Sequence, residues 1–356
     1  MARRVCYIHV GPHKTGTSAI QWFLKEHRLA LLKQGYFIPE SGTVHGGHHP
    51  LVRKLCGQEL RDHQQSAAVQ FARALAETPC EAVVVSSEAL HTLLRNGHYA
   101  TVFFNRIEEL NLEPKLVLFP RNQSQSINSR YAEVVKNFQC SESFEAFVQG
   151  NIRRPGLGYS PLIELASVFH ADLIPCPFTV ETVMRGVVPE FLRAIGVDTS
   201  PFSDTYVRRN QSVGPFTVSV ARHLLRSIFS RGKQLKWLQA ERCKKRLIAY
   251  LQERGLTDTG YCGLTTPLAR HIEREWWSDN DAFAQRVWGR PWSEIFAADI
   301  RREFRPNDLE MSEPDEHTKR RLCQTVREMT ATMEEIMRDP ALAVDPAWND
   351  LQQRSG

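Results

Sequence analysis

The sequence predicts an α/β protein: a parallel sheet flanked by helices, with a helical C-terminal elaboration. Three observations predict it. Short β-branched runs alternate with amphipathic stretches through the first half of the chain. Each run stops at a glycine or at polar residues, as a strand buried on both faces does at its carboxyl end. From about Phe216 onward strand signals fade, and Arg, Trp and Glu recur at helical spacing. The expected division is 1–215 for the α/β core and 216–356 for a helical extension that completes the core or covers its site.

The elements follow in order. Val5–Val10 is a β-branched run that ends at Gly11, and Ala19–Lys33 repeats apolar residues at helical spacing until Gly35. Tyr36–Pro39 reads as a short second strand, and 40–50, rich in Gly and His, reads as a loop. Gln64–Glu77 is helical in pattern. Glu81–Glu88 contains Val83-Val84-Val85 and reads as a buried strand, and Lys115–Phe119 is another, followed by a polar helix to about Lys136. Asp172–Phe178 is a weaker strand. In sheets of this kind ligands gather at the carboxyl ends of the strands, and the motifs described below sit there.

Composition narrows the class. The 356 residues carry 42% hydrophobic and 24% charged side chains, within the range of soluble globular chains. No apolar stretch approaches the roughly 20 residues that span a bilayer. Met1-Ala2-Arg3-Arg4 has the charge of a signal peptide without its apolar region, so a cytoplasmic location without an integral membrane segment is expected. Eight scattered cysteines, with no CxxC, read as reduced thiols. A net charge of +5 suits anionic ligands but is too small to indicate nucleic acid, and none is expected as a partner.

The densest signal is Gly11-Pro12-His13-Lys14-Thr15-Gly16-Thr17-Ser18, with strand before it and helix after it. That is where backbone N–H groups at a helix start can cradle a phosphate. Measured against the triphosphatase pattern G-x-x-x-x-G-K-[ST], both glycines and Ser18 match, but Thr17 stands where the lysine belongs. The lysine is Lys14, inside the turn, and no apolar strand ends in an aspartate suited to magnesium. A glycine-rich turn with no ligand is the bland alternative.

KTGTS after a first strand resembles the 5′-phosphosulfate loop of the PAPS-dependent sulfotransferases, bacterial and carbohydrate-type members included. The resemblance implies a P-loop-type sheet and a second motif for the 3′-phosphate: an arginine at the end of a later strand and a serine eight residues on. Arg121 and Ser129 have that spacing, and eight residues of helix span about 12 Å, which a long guanidinium can bridge. Alone, such a pair is a weak signal. The resemblance covers the first 140 residues well and implies PAPS as donor, PAP as leaving product and no metal. It also implies that His13, Lys14, Thr15, Gly16, Thr17 and Ser18 face the 5′-phosphosulfate. Arg208-Arg209-Asn210-Gln211-Ser212 looks like the late basic segment of the family, which adds Arg209, Asn210 and Ser212 as nucleotide contacts; a solvated basic turn is the alternative.

Sulfuryl transfer is an in-line displacement that needs positioning, a cation at the leaving oxygen and a base for the acceptor's proton. Lys14 supplies the cation. Glu88, at the carboxyl end of the Val83–Val85 strand, is the expected base, with His91 second. The competing reading makes Glu88 a helix cap, since Ser86-Ser87-Glu88 also fits a helix start. His45, His48 and His49 raise a zinc hypothesis, but no carboxylate or cysteine stands at ligand spacing, and a substrate-facing loop is expected instead. Trp276-Trp277-Ser278-Asp279-Asn280 resembles a C-terminal element of bacterial members and is expected to pack or to line an acceptor cleft. The acceptor expected from the resemblance is a hydroxyl or amine on a carbohydrate or glycolipid. An ATP- and magnesium-dependent kinase and a non-catalytic nucleotide binder remain as alternatives.

Overall fold

The structure is a computed structural model that describes residues 3–60, 62–202, 212–230 and 232–343. Its centre is a sheet of five strands: β1 (Arg4–His9), β2 (Tyr36–Phe37), β3 (Ala82–Ser86), β4 (Leu112–Leu118) and β5 (Asp172–Pro175). All pair in parallel, in the order β2-β3-β1-β4-β5. Parallel strands need covered crossovers, and helices lie between each successive pair.

Alternation along the strands builds two cores. Val83 and Val85 of β3 join Cys6, Ile8, Leu116 and Leu118 in one apolar cluster, with Leu51, Phe71, Phe103 and Phe104 from covering helices. Val84, one residue out of phase, faces the other side with Val117, Ile20, Phe23, Leu24, Phe191 and Leu192. A period of two delivers neighbouring residues to opposite faces, and because both faces are covered, all five β3 residues are buried.

Several boundaries differ from the sequence expectation. The stretch expected as one helix divides at His27 into Thr17–Glu26 and Arg28–Lys33. The segment expected as loop to Pro50 gives way to a helix, His49–Leu55, that places Pro at its first turn, where a missing N–H costs nothing. A helix at Gly97–Glu109, capped by the Asn96 side chain accepting from Tyr99 N–H at 3.2 Å, covers the sheet with Ala100, Phe103, Phe104 and Ile107. The sequence reading assigned nothing there.

The chain forms two compact units that interleave along the sequence. The first comprises Met1–Gln123, Pro155–Asn210 and Glu273–Arg302; the second comprises Ser124–Arg154, Gln211–Ile272 and Glu303–Gly356. The expected boundary at 215/216 therefore lies near one of several crossings. The second unit is helical, with Pro215–Phe229 and Trp237–Glu253 both packing on Glu316–Arg338. At its centre Arg222, fully buried, makes two bonds to Asp308 (2.7 and 2.9 Å) and donates to the Tyr131 hydroxyl at 2.6 Å. Among the described residues no helix is long and apolar enough to cross a membrane.

Candidate functional site

Because every strand runs the same way, the carboxyl ends of β1, β3 and β4 meet at one edge. In register, His9 of β1 faces Ser86 of β3 and Val117 of β4. The ladder carries on past the strands: Ser87 N–H donates to His9 O, Val10 N–H to Val117 O and Phe119 N–H to Gly11 O, each at 3.1 Å. Residues far apart in sequence are thereby fixed around the loop that follows β1. The chain leaves β1 toward the β2 edge and leaves β4 toward the β5 edge, the change of direction at which sheets of this kind bind ligands.

That loop turns sharply. Gly11, Lys14 and Gly16 have φ of +87°, +69° and +79°, and a lysine in the left-handed region costs about 1–2 kcal/mol. Such strain persists only where the surroundings impose it, and it concentrates at functional sites. Gly16 has no room for a side chain, since a Cβ would stand 2.6 Å from Val187 Cγ1. Thr15 and Thr17 are buried and donate their hydroxyls to Pro12 O, at 2.8 and 3.5 Å, so they brace the turn from inside. The first backbone bond after the turn is Ala19 N–H to Gly16 O at 2.9 Å. Thr17 and Ser18 precede it, at the position where a helix start leaves N–H donors over. His13 and Ser18 are exposed and Lys14 is half-buried.

Glu88 stands directly against this loop. A Cβ on Gly11 would come within 3.3 Å of both Glu88 Cα and Cβ, so the glycine is what lets the two chains approach. The Glu88 carboxylate accepts from Gln21 Nε2 at 2.8 Å through Oε2, and its Oε1 lies 3.7 Å from His49 Nε2. Burial pushes its pKa up, but the His49 and His13 imidazoles, its own backbone N–H and the Gln21 amide outweigh that and hold it below the ordinary range. It is a carboxylate at neutral pH. The helix that follows, Leu90–Leu93, starts from Ala89 with no side-chain cap, so the Glu88 side chain serves the loop edge and not the helix start. His91 is buried in that helix, and its Nε2 has no hydrogen-bond partner among the described residues. Burial, then the charges of Arg95 and His13, drive its pKa far down, so it is neutral.

Arg121 closes the site from β4. Its Nη1 donates to Lys14 O at 2.7 Å, and its guanidinium lies 5.2 Å from the Phe178 ring centre. Burial draws its pKa down to about 10, which leaves it cationic at neutral pH. The Arg121 backbone is held at both ends by one hydroxyl: Tyr159 Oη accepts from Arg121 N–H at 2.9 Å and donates to Arg121 O at 2.7 Å. Asp279 in turn accepts from Tyr159 N–H at 2.7 Å, Asn280 and Gln123 exchange amide bonds at 2.7 and 2.8 Å, and Trp292 Nε1 donates to Asn122 Oδ1 at 2.8 Å. The segment expected to pack or to line a cleft is thus a brace for the Arg121 turn.

Comparisons with protein-family models, curated proteins and solved structures found no match to this chain. The site's own geometry carries the reading.

The structure sets Glu88 and Arg121 against the loop that carries His13, Lys14, Thr15, Gly16, Thr17 and Ser18, with His91 in the short helix after Glu88. Ser129 is half-buried on the helix Gln123–Lys136, in the second unit. Ser212 is exposed, also in the second unit, and Arg209 and Asn210 lie outside the described residues. The histidine-rich loop is not uniformly substrate-facing. His45 is exposed, but His48 is buried, accepting from Ser86 N–H at 3.1 Å through Nδ1 and donating to Pro39 O at 3.0 Å through Nε2. Gln21 and Tyr159 were missed, and His49, Ser87 and Asp279 were noted in the sequence but not as neighbours of Glu88 and Arg121. Of the two missed, Gln21 left a trace in the sequence, as a polar residue on the apolar stripe of its helix.

Proposed function

We propose that this chain is a PAPS-dependent sulfotransferase, moving a sulfuryl group onto a hydroxyl or amine of a sugar-containing acceptor without a metal. The observation that carries the reading is the convergence of Lys14, Glu88 and Arg121, from three strand ends, around a strained loop that opens a helix. A lysine within the turn suits a donor whose leaving oxygen lies next to the 5′-phosphate. A second cation beside the loop suits a donor with a further phosphate.

In this reading the N–H groups at the start of the helix Thr17–Glu26 receive the 5′-phosphate. Arg121 takes the 3′-phosphate, for which a planar guanidinium is the suited partner; Ser129, Arg209, Asn210 and Ser212 remain expectations from the sequence. The acceptor oxygen attacks sulfur as the bond from sulfur to the bridging phosphate oxygen breaks. The bonding pair stays on that oxygen, where Lys14 meets the growing charge, and PAP leaves. The acceptor's proton passes to the Glu88 carboxylate. A preorganised cation at the leaving oxygen stabilises charge only as it develops, which is what accelerates a displacement.

Radiolabelled PAPS offered with a library of glycans, glycolipids and phenols tests the proposal. Label in a sugar-containing product is expected. Label in no product, together with transfer from ATP and magnesium, would replace this reading by the kinase one.

A further inference from the structure

Glu88 has a neighbour that the transfer reaction above leaves unused. The His49 ring lies between Ser87 and Glu88, with Nδ1 2.8 Å from Ser87 Oγ and Nε2 3.7 Å from Glu88 Oε1. Ser87 is fully buried, and its backbone N–H is tied to His9 O. An imidazole flanked by a hydroxyl and a carboxylate has one favourable neutral form. At 3.7 Å the Nε2–Oε1 pair is too long for a hydrogen bond, but the carboxylate's charge favours the proton on the near nitrogen, Nε2, which leaves Nδ1 to accept from Ser87.

The two oxygens of Glu88 thereby have different neighbours: Oε2 accepts from Gln21 Nε2 at 2.8 Å, and Oε1 faces His49 Nε2 at an ion-pair distance of 3.7 Å. Room for both comes from one glycine. A Cβ at Gly47 would stand 2.5 Å from His49 Nε2 and 2.9 Å from Gln21 Cδ and Nε2. His48, the residue before, pins this turn to Ser86 at the end of β3. Other groups whose charge reaches the pair are Arg53 on the same helix, His45 in the turn before it and His13 in the loop after β1.

We propose that His49 is a positioning residue for Glu88: with its tautomer set by Ser87, it fixes the carboxylate's orientation and, once protonated, keeps it ionised in acid. The catalytic meaning of this pairing rests on the transfer reading, but the pairing itself does not. Burial lowers the His49 pKa against the pull of Glu88, so at neutral pH the ring is neutral and orients Glu88 by its packing and the polar N–H facing Oε1. Its charge is called on only as pH falls.

The test is NMR of protein labelled with ¹⁵N at histidine, in the wild type and in Glu88→Gln. In the wild type at neutral pH, His49 should show a protonated Nε2 and a bare Nδ1. In Glu88→Gln its titration midpoint should fall by about half a pH unit or more, because the anion that favours the imidazolium is gone. A protonated Nδ1 in the wild type, or a midpoint unmoved by Glu88→Gln, overturns the proposal whatever the activity. A second arm reads turnover: His49→Gln should move the acid limb of the pH–rate profile to higher pH, while a purely structural role would lower the melting temperature and leave that limb in place. Failure of PAPS to serve as donor would remove the second arm's reaction but leave the NMR result standing, so the two failures are told apart.

Discussion

Each unit buries polar groups, and it does so in opposite ways. In the second unit the buried Arg222 is paired with anions: Asp308 takes two bonds, Nη1 also donates to Tyr131 Oη, and Glu310 Oε1 lies 2.9 Å from Nε as an ion pair, without a hydrogen bond to it. Tyr261 adds a bond to Asp308 at 2.6 Å. At the sheet edge of the first unit the buried polar groups are histidines kept neutral. His9 is fully buried and bonded to Ser86 Oγ at 2.8 Å through Nδ1, while its Nε2, like that of His91, has no partner among the described residues. A buried cation held by two carboxylates fixes a structure. Perturbed and incompletely matched groups around one carboxylate, beside a strained loop, are the mark of a site that does something else. The difference supports the first unit as the place of the proposed site.

Substitutions should divide along the same line. Lys14→Ala is expected to lower kcat by about 10³-fold or more, since a cation aimed at developing charge is worth several kcal/mol, with little change in melting temperature. Turnover within about threefold of wild type, read beside the melting curve, would remove Lys14 from its role. Arg222→Ala should do the reverse. It leaves the buried Asp308 carboxylate without its cation, which costs about 3–5 kcal/mol of stability, with PAP affinity unchanged in calorimetry of the protein that remains folded.

Glu88→Gln keeps shape and removes basicity, so kcat should fall roughly 10²-fold with PAP affinity intact, and His91→Gln should cost far less. An equal loss in both variants would make His91 a participant.

The pH response separates the units further. Burial lowers the His9 and His48 pKa values to about 4. Between that and the unfolded value of about 6.5 the unfolded chain binds more protons, so their contribution is complete above about 6.5 and is lost as pH falls toward 4. A fall from 6.5 to about 4 corresponds to about 3 kcal/mol for each. Asp308 is shifted the same way from a lower start. Burial raises its pKa, but the Arg222 and Tyr261 bonds and the Arg222 charge prevail and lower it, so its contribution holds until below about 4. Amide exchange, corrected for intrinsic rates, should therefore speed up in β1 and β3 between pH 6.5 and 4.5 while the helix Pro215–Phe229 keeps its protection. Parallel loss in both would erase the distinction. The smallest expected effect is that of EDTA, which should leave turnover unchanged because Lys14 and the loop amides carry the charge; a reversible loss would bring a metal back into the reading.

What the sequence revealed follows from range. β1, β3 and β4 were legible because each is a local apolar run, and the loop because its residues are contiguous. Glu88 was legible from its place after a strand. Its partners were not, since Gln21 and His49 reach it from 67 and 39 residues away in the chain, and no local pattern encodes that approach. The same holds for Tyr159 and Asp279 at Arg121. The helix Gly97–Glu109 escaped because its aromatic face is short and opens on glycine, and β4 was started late because Pro114 lies within it, at a position that reads as a strand breaker. The division at His27 had no glycine or proline to announce it.

The central claim is that the loop and Arg121 together hold a nucleotide with phosphates at both its 5′ and 3′ positions, and calorimetry tests it most directly. PAP, ADP and ATP with magnesium are titrated into the wild type and into Arg121→Ala. PAP should bind the wild type tightest, and Arg121→Ala should weaken PAP by about 1.5–3 kcal/mol, roughly 10- to 150-fold, while ADP changes little. ATP with magnesium binding tighter than PAP, or Arg121→Ala weakening PAP and ADP equally, would contradict the account.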